Sequence, residues 1–573
     1  MSLEVDKSRY YDPRLIQQRP KFAINQGALS ISSSPFQSLS ATSAQMSFQL
    51  QTPSQNTFLD RRLPLTASVF ITFSVTPGAA AQVGDPLVTL GKDASIAPYP
   101  LHSLFSTIQM TLGDTQISAN LAQSREILLR LLDSHKVRRH KTCASALDTF
   151  ADYADAAAAS ATNTPFAGYE NAVYDEGNGA SPDVVFVDPR TGTDLAGAGT
   201  YRYQGTDYTY AHGVPQVIAG QVAQPVFLRI ASTELLQISP FQWLQDDADS
   251  TGLFGLQTLS LVINIQSPQA ARLLRQCTAG GRAFTTQPVF WTPPNASSCF
   301  SGARVDATFL TPSLSVPLAP RSVVPWFEVV TYTSQVTVAA GAGSQVSTQT
   351  LTLPVIPDLL VFAVQPTSYA STDATYFVPV SGISLNYSNF SGLLSSLSQS
   401  QLYRICAENG LNESYNTWRG KARTQRGIVQ TVAGPLILQP SKDITLSDGE
   451  APGLVGNYTV SAQLTLDNSF EAAATPCTIT VLCINSGFLV TERGQSRIVR
   501  GPITQADVLS APVMGTHDDI KRMIGSGVAD KFGHALSRSK DWMSGVAQTV
   551  RQELPKAAKA VASSVSDLAH RLM

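Results

Sequence analysis

The residues of this chain best able to do chemistry are seven histidines, six cysteines and a few glycine-rich stretches, and their spacing decides what chemistry they could support. His102, His135, His140, His212, His517, His534 and His570 form no His-Glu-x-x-His or Cys/His pattern of the kind that holds zinc. Cys143, Cys277, Cys299, Cys406, Cys477 and Cys483 lie far apart, which predicts small core residues that stay thiols in a reducing compartment. The stretches Leu195 to Gly199 (LAGAG) and Ala340 to Ser344 (AGAGS) lack the strand-to-helix setting of a phosphate loop. No nucleophile-elbow sequence singles out a serine. The dense basic run His135 to Lys141 (HKVRRHK) could touch nucleic acid, but lysine and arginine also favour the last turn of a helix, and a solvated helix end accounts for it. These patterns predict no catalytic residues, cofactor or metal, hence a structural protein rather than an enzyme.

The elements that carry these residues read as β-strands. Ala67 to Val75, Ser103 to Ser118, Gln224 to Thr233 and Gln257 to Gln266 are β-branched or aromatic runs bounded by turn residues. A second set follows at Trp326 to Ala340, Ser347 to Ile356, Gly382 to Phe390, Tyr458 to Ser469 and Cys477 to Glu492. Many short strands with turns between them indicate sandwiches or barrels, an all-β class. Two helices interrupt them, Ser124 to Ser134 and Ser398 to Gly410. One offset of 275 residues superimposes Ile108, Met110, Leu112 and Ile127 on Ile383, Leu385, Tyr387 and Leu402, which predicts two copies of one β-sandwich.

The expected organisation is an N-terminal arm at 1–45, a first sandwich at 46–270, a linker at 271–299, a second sandwich at 300–505 and a tail at 506–573. An insertion at 143–222 is rich in acid, with 10 Asp/Glu and 2 Arg over 148–220. Its tyrosines, among them Tyr201, Tyr203, Tyr208 and Tyr210, suggest an ordered projecting loop packing on neighbouring subunits. Charged residues are only 14 % of the 573, which suits a protein with much surface buried by partners. The start has no secretory signal and no stretch approaches a membrane span, so cytosol or nucleus is the expected place of assembly.

Tyr10 to Pro20 (YYDPRLIQQRP), Asp60 to Leu65 (DRRLPL), Leu438 to Val460 (LQPSKDITLSDGEAPGLVGNYTV) and Ile484 to Thr504 (INSGFLVTERGQSRIVRGPIT) resemble double-jelly-roll major capsid proteins of polinton and adintovirus-like DNA viruses. The resemblance implies two tandem eight-stranded jelly rolls, a homotrimer with pseudo-sixfold outline in an icosahedral virion, and the insertion as a tower at its outer face. It further implies penton and minor capsid or cement partners. The chain lacks the Arg-rich arm with which single-jelly-roll coats of RNA viruses often neutralise genome phosphates, so genome contact is expected to be weak or absent. The alternatives are such a coat protein and a β-rich adhesion or carbohydrate-binding protein.

The tail has its own character. Residues 521–573 carry 9 Lys/Arg against 4 Asp/Glu, leaving 31 against 38 in the body, so the tail is +5 and the body −7. Val528, Phe532, Leu536, Trp542, Met543, Val546, Val550 and Leu554 recur at helical steps, which predicts a basic amphipathic helix. Just before it, Met523, Gly525, Ser526 and Gly527 fit the cleavage pattern of adenovirus-type maturation proteases, which the resembled viruses often encode, with the cut after Ser526. The tail is expected either to pack beneath the shell or to act on membranes as a released peptide.

Overall fold

A computed structural model describes residues 28–131 and 184–500, apart from short breaks, the longest of them at 242–251, 277–282, 314–320 and 370–374. Eight long strands build a first sandwich: β1 (Ala28–Gln37), β2 (Gln45–Gln51), β3 (Pro64–Thr76), β4 (Phe105–Leu112), β5 (Thr115–Asn120), β6 (Gln224–Leu235), β7 (Thr258–Ile265) and β8 (Phe300–Pro312). They alternate buried and exposed residues, as strands with one face on a core must. One sheet runs β1-β8-β3-β6, with Val184–Phe186 on its edge, and the facing sheet runs β2-β7-β4-β5. First pairs with eighth, second with seventh, third with sixth and fourth with fifth, all antiparallel. That is the order left when one long hairpin is wound into a jelly roll.

The second sandwich repeats the order with every number raised by eight. Its strands are β9 (Ser322–Val338), β10 (Gly341–Ser347), β11 (Leu359–Pro366), β12 (Val380–Tyr387), β13 (Phe390–Leu393), β14 (Leu436–Leu438), β15 (Val455–Asn468) and β16 (Thr475–Glu492). Its sheets run β9-β16-β11-β14 and β10-β15-β12-β13, and Gln495–Arg500 adds to the far side of β16. The 275-residue offset holds at both ends of β4 and β12. Ile108, Met110 and Leu112, like Ile383, Leu385 and Tyr387, are at most 3 % exposed. The fold is therefore all-β, two tandem eight-stranded jelly rolls.

Among the described residues four α-helices accompany the strands: α1 (Pro100–Leu104), α2 (Leu121–Leu129), α3 (Gln399–Glu408) and α4 (Tyr415–Trp418). In both jelly rolls one follows the fourth-to-fifth hairpin, α2 after β5 and α3 after β13. Ser398 caps α3 reciprocally with Gln401, as its sequence predicts. The start of α2 is three residues earlier than expected, because Asn120 ends β5 and Ser124 lies inside the helix, its hydroxyl donating to the Asn120 carbonyl at 2.6 Å.

Three expected boundaries are corrected by strand pairing. Residues 300–312, expected in the second jelly roll, form β8, paired with β1 and β3 of the first. Residues 28–37, expected in an arm, are β1, while the expected 271–299 linker contributes Val289–Phe290 to the edge of β3. A polar, serine-rich strand such as β1 carries little periodicity, so only its partner β8 reveals it.

Candidate assembly interfaces

Among the described residues the only imidazole-carboxylate pair is His102 on α1 with Glu234 on β6, 2.6 Å from Nδ1 to Oε2 and both side chains 0 % exposed. Such a pair could serve a nucleophile, but the geometry forbids it. The Gln237 backbone N–H can only donate, and it reaches His102 Nε2 at 3.1 Å, so that nitrogen is occupied as acceptor and the ring proton sits on Nδ1. Glu234 also accepts from the backbone N–H groups of Leu101 and His102 and from the Ser232 hydroxyl. Burial would raise its carboxyl, but the His102 hydrogen bond and the two backbone N–H groups outweigh it and hold the group below the ordinary range. The cluster is a clasp tying α1 to β6. Sequence reading missed it because its members lie 132 residues apart. No group of three His, Cys, Asp or Glu among the described residues could hold a metal.

Burial raises the thiols of Cys299, Cys406, Cys477 and Cys483, the last two named to about 11 and about 12, and all four are free and buried. They are inert core residues. In the described part of the insertion, Tyr201 stacks on Tyr208 at 5.4 Å and on Tyr210 at 6.3 Å within the hairpin Gly199–Tyr203/Thr206–Ala211. Tyr201 and Tyr208 are 2 % and 7 % exposed, so these two rings are buried within the chain itself. Cys143, Cys277, the basic run 135–141, the cleavage residues Met523, Gly525, Ser526 and Gly527, and the tail residues Val528 to Leu554 lie outside the described residues.

What the structure does assemble is a seam between the two jelly rolls, in which each lends side chains to the core of the other. Val324 and Trp326 of β9 and Leu489 of β16 sit in the first core, while Ile127, Leu128 and Leu129 of α2 and the following Leu131 sit in the second. Arg130 pairs with Glu413, both side chains 2 % exposed, and lies 5.3 Å over the Phe377 ring. Burial pushes the Glu413 carboxyl up in spite of Arg130. At the other end, the Gly494 N–H donates to the Gly255 carbonyl at 2.7 Å and the Ser496 hydroxyl donates to the Leu112 carbonyl. Gly113, at φ +57°, turns the β4–β5 hairpin so closely that a Cβ there would lie 2.8 Å from the Gly494 carbonyl oxygen. The seam leaves a cleft of about 310 Å³ lined by Arg125, Glu126, Arg272 and threonines of β16, without a nucleophile and base in contact. Such a chain can present a rigid two-lobed block to partners.

Comparison with known proteins agrees with that construction. Residues 5–310 match the family described as the Sputnik virophage major capsid protein first domain, and residues 327–487 match the C-terminal domain of major capsid protein V20. The V20 capsid protein of Sputnik virophage is 24 % identical over 554 residues, covering 92 % of this chain and 85 % of the relative. A chain of the cryo-EM structure of the Sputnik virophage superimposes with TM-score 0.68 at 21 % identity, over 92 % of this chain and 99 % of that one. The mavirus major capsid protein does so with TM-score 0.61 at 12 % identity, over 90 % and 100 %.

Proposed function

The chain belongs to the Sputnik virophage-type major capsid protein family, a family of structural proteins, and on that premise we propose that it builds an icosahedral shell from homotrimers whose six jelly rolls give a pseudo-hexagonal outline. The observation that carries this is the seam: two jelly rolls of one topology, locked by exchanged core residues, make a rigid block with two repeated faces. Penton and minor capsid or cement proteins would fill the positions that such trimers leave, and kinship extends in this reading to polinton and adintovirus-like capsids.

The tail, with charge opposite to that of the body, packs in this reading against the inner face of the shell. Its release after Ser526 by an adenovirus-type protease, for membrane contact, is the second role the sequence allows. Expression followed by negative-stain microscopy tests the main proposal. Hexagonal capsomers of three chains are expected, and stable monomers that bind glycans would overturn it in favour of an adhesion protein. A mass spectrum of purified particles tests release: an intact 61.2 kDa chain with no species ending at Ser526 would rule it out.

A further inference from the structure

The seam inside one chain buries two facing apolar sets. Ile117 of β5 and Leu121 and Leu128 of α2 come from the first jelly roll and are 6, 2 and 3 % exposed. Val324 and Trp326, alternate residues near the start of β9, come from the second and are 0 and 3 % exposed. Both sets line one cleft between the jelly rolls or the core beside it. Because the two units share one topology, each set has a counterpart on the outside of the chain.

The counterpart of β9 is β1. Its Ile31, near the strand start, and Leu29, at the irregularity in the β1–β8 register just before it, are 68 and 70 % exposed. Phe36, opposite in phase to Ile31, meets Phe309 of its own core at 6.2 Å, so Ile31 points away from its own sandwich. In β9, Phe327, Val329, Val330, Tyr332 and Val336 pack against their own core, while Val324 and Trp326, nearer the strand start, enter the neighbouring one. Among the described residues β1 pairs only with β8, leaving its other edge open. The counterpart of β5 and α2 is β13, α3 and the turn between them, where Leu393, Leu394 and Leu397 are half-buried, packed in part against the second core.

We propose that the Leu29–Ile31 face of one chain docks on the Leu393–Leu397 face of a second copy, repeating between chains the contact that joins the two jelly rolls within each. The two faces differ, so the contact is heterologous. Contacts of this kind close into a ring when their rotation allows it, and alternation of internal and external seams places six jelly rolls from three chains around one axis. The inference rests on the trimer reading and specifies the surface that makes it.

The test uses the full chain and three forms of it. Wild type is expected to sediment at three times 61.2 kDa. In Leu29→Asp/Ile31→Asp the trimer fraction falls at least about tenfold while the β-sheet circular dichroism of the chain is unchanged, because exposed side chains contribute little to the fold of one chain. In Ile31→Cys/Leu394→Cys, mild oxidation gives two-chain and three-chain bands on a non-reducing gel, while neither single cysteine does. Wild-type trimers that survive the aspartates and yield no cross-link would overturn this interface and leave the trimer standing. A monomeric wild type would overturn both.

Discussion

Glu234 gathers four donors around one buried carboxylate, so its removal has consequences out of proportion to its size. Glu234→Leu leaves those donors without an acceptor in a dry site and is expected to cost about 3–5 kcal/mol, read as a drop in melting temperature. The pH dependence has a definite sign. A carboxyl held below its ordinary range stabilises the fold at pH values above that range, and this contribution is lost as pH falls through its folded value. Glu234→Gln should therefore flatten the loss of stability that wild type shows on acidification below about pH 4. Arg130 and Glu413 behave otherwise. Burial raises Glu413 in spite of Arg130, and removing either member breaks a buried ion pair, so Glu413→Gln and Arg130→Met are each expected to cost about 3–5 kcal/mol in the same melting assay. Neither cluster was legible in the sequence, since contacts between residues 130 and 413 or 102 and 234 obey no local period.

Local rules do govern the helix that begins at Ser398. A capping box needs only Ser398 and Gln401 three residues on, and both are visible in the sequence and present in the fold. Ser398→Ala is expected to cost about 1 kcal/mol, measurable by chemical denaturation. The turn at Gly113 is a tertiary matter. Gly113→Val would meet the Gly494 carbonyl at 2.8 Å and hold a branched residue at φ +57°, so a loss of about 2 kcal/mol or more is expected. The alternating strands β3, β4, β6, β7 and β9 could be read from β-branched periodicity. Strands β1 and β8 could not be placed, because a strand's sheet is decided by its partner, and Ile31 finds Leu310 across the whole first jelly roll.

For the molecule as a whole, exchange of side chains across the seam makes the two jelly rolls one cooperative unit. Calorimetry of wild type should show a single transition. Trp326→Ala removes the largest side chain that the second unit places in the first core, should cost about 3–5 kcal/mol, and should separate that transition into two. The two-copy architecture was readable because a 275-residue offset preserves both phase and burial in β4 and β12. The seam was not, because it depends on which strands lie back to back. Pairing of the first strand with the eighth also sets a timetable during synthesis. Ile31 leaves the ribosome long before Leu310, and at roughly 5–20 residues per second the delay is on the order of 15–60 s. Throughout that interval the nascent chain carries Leu29 and Ile31 on a strand without a partner. The segment that later serves assembly is thus, for its first minute, the part of the chain most in need of a chaperone.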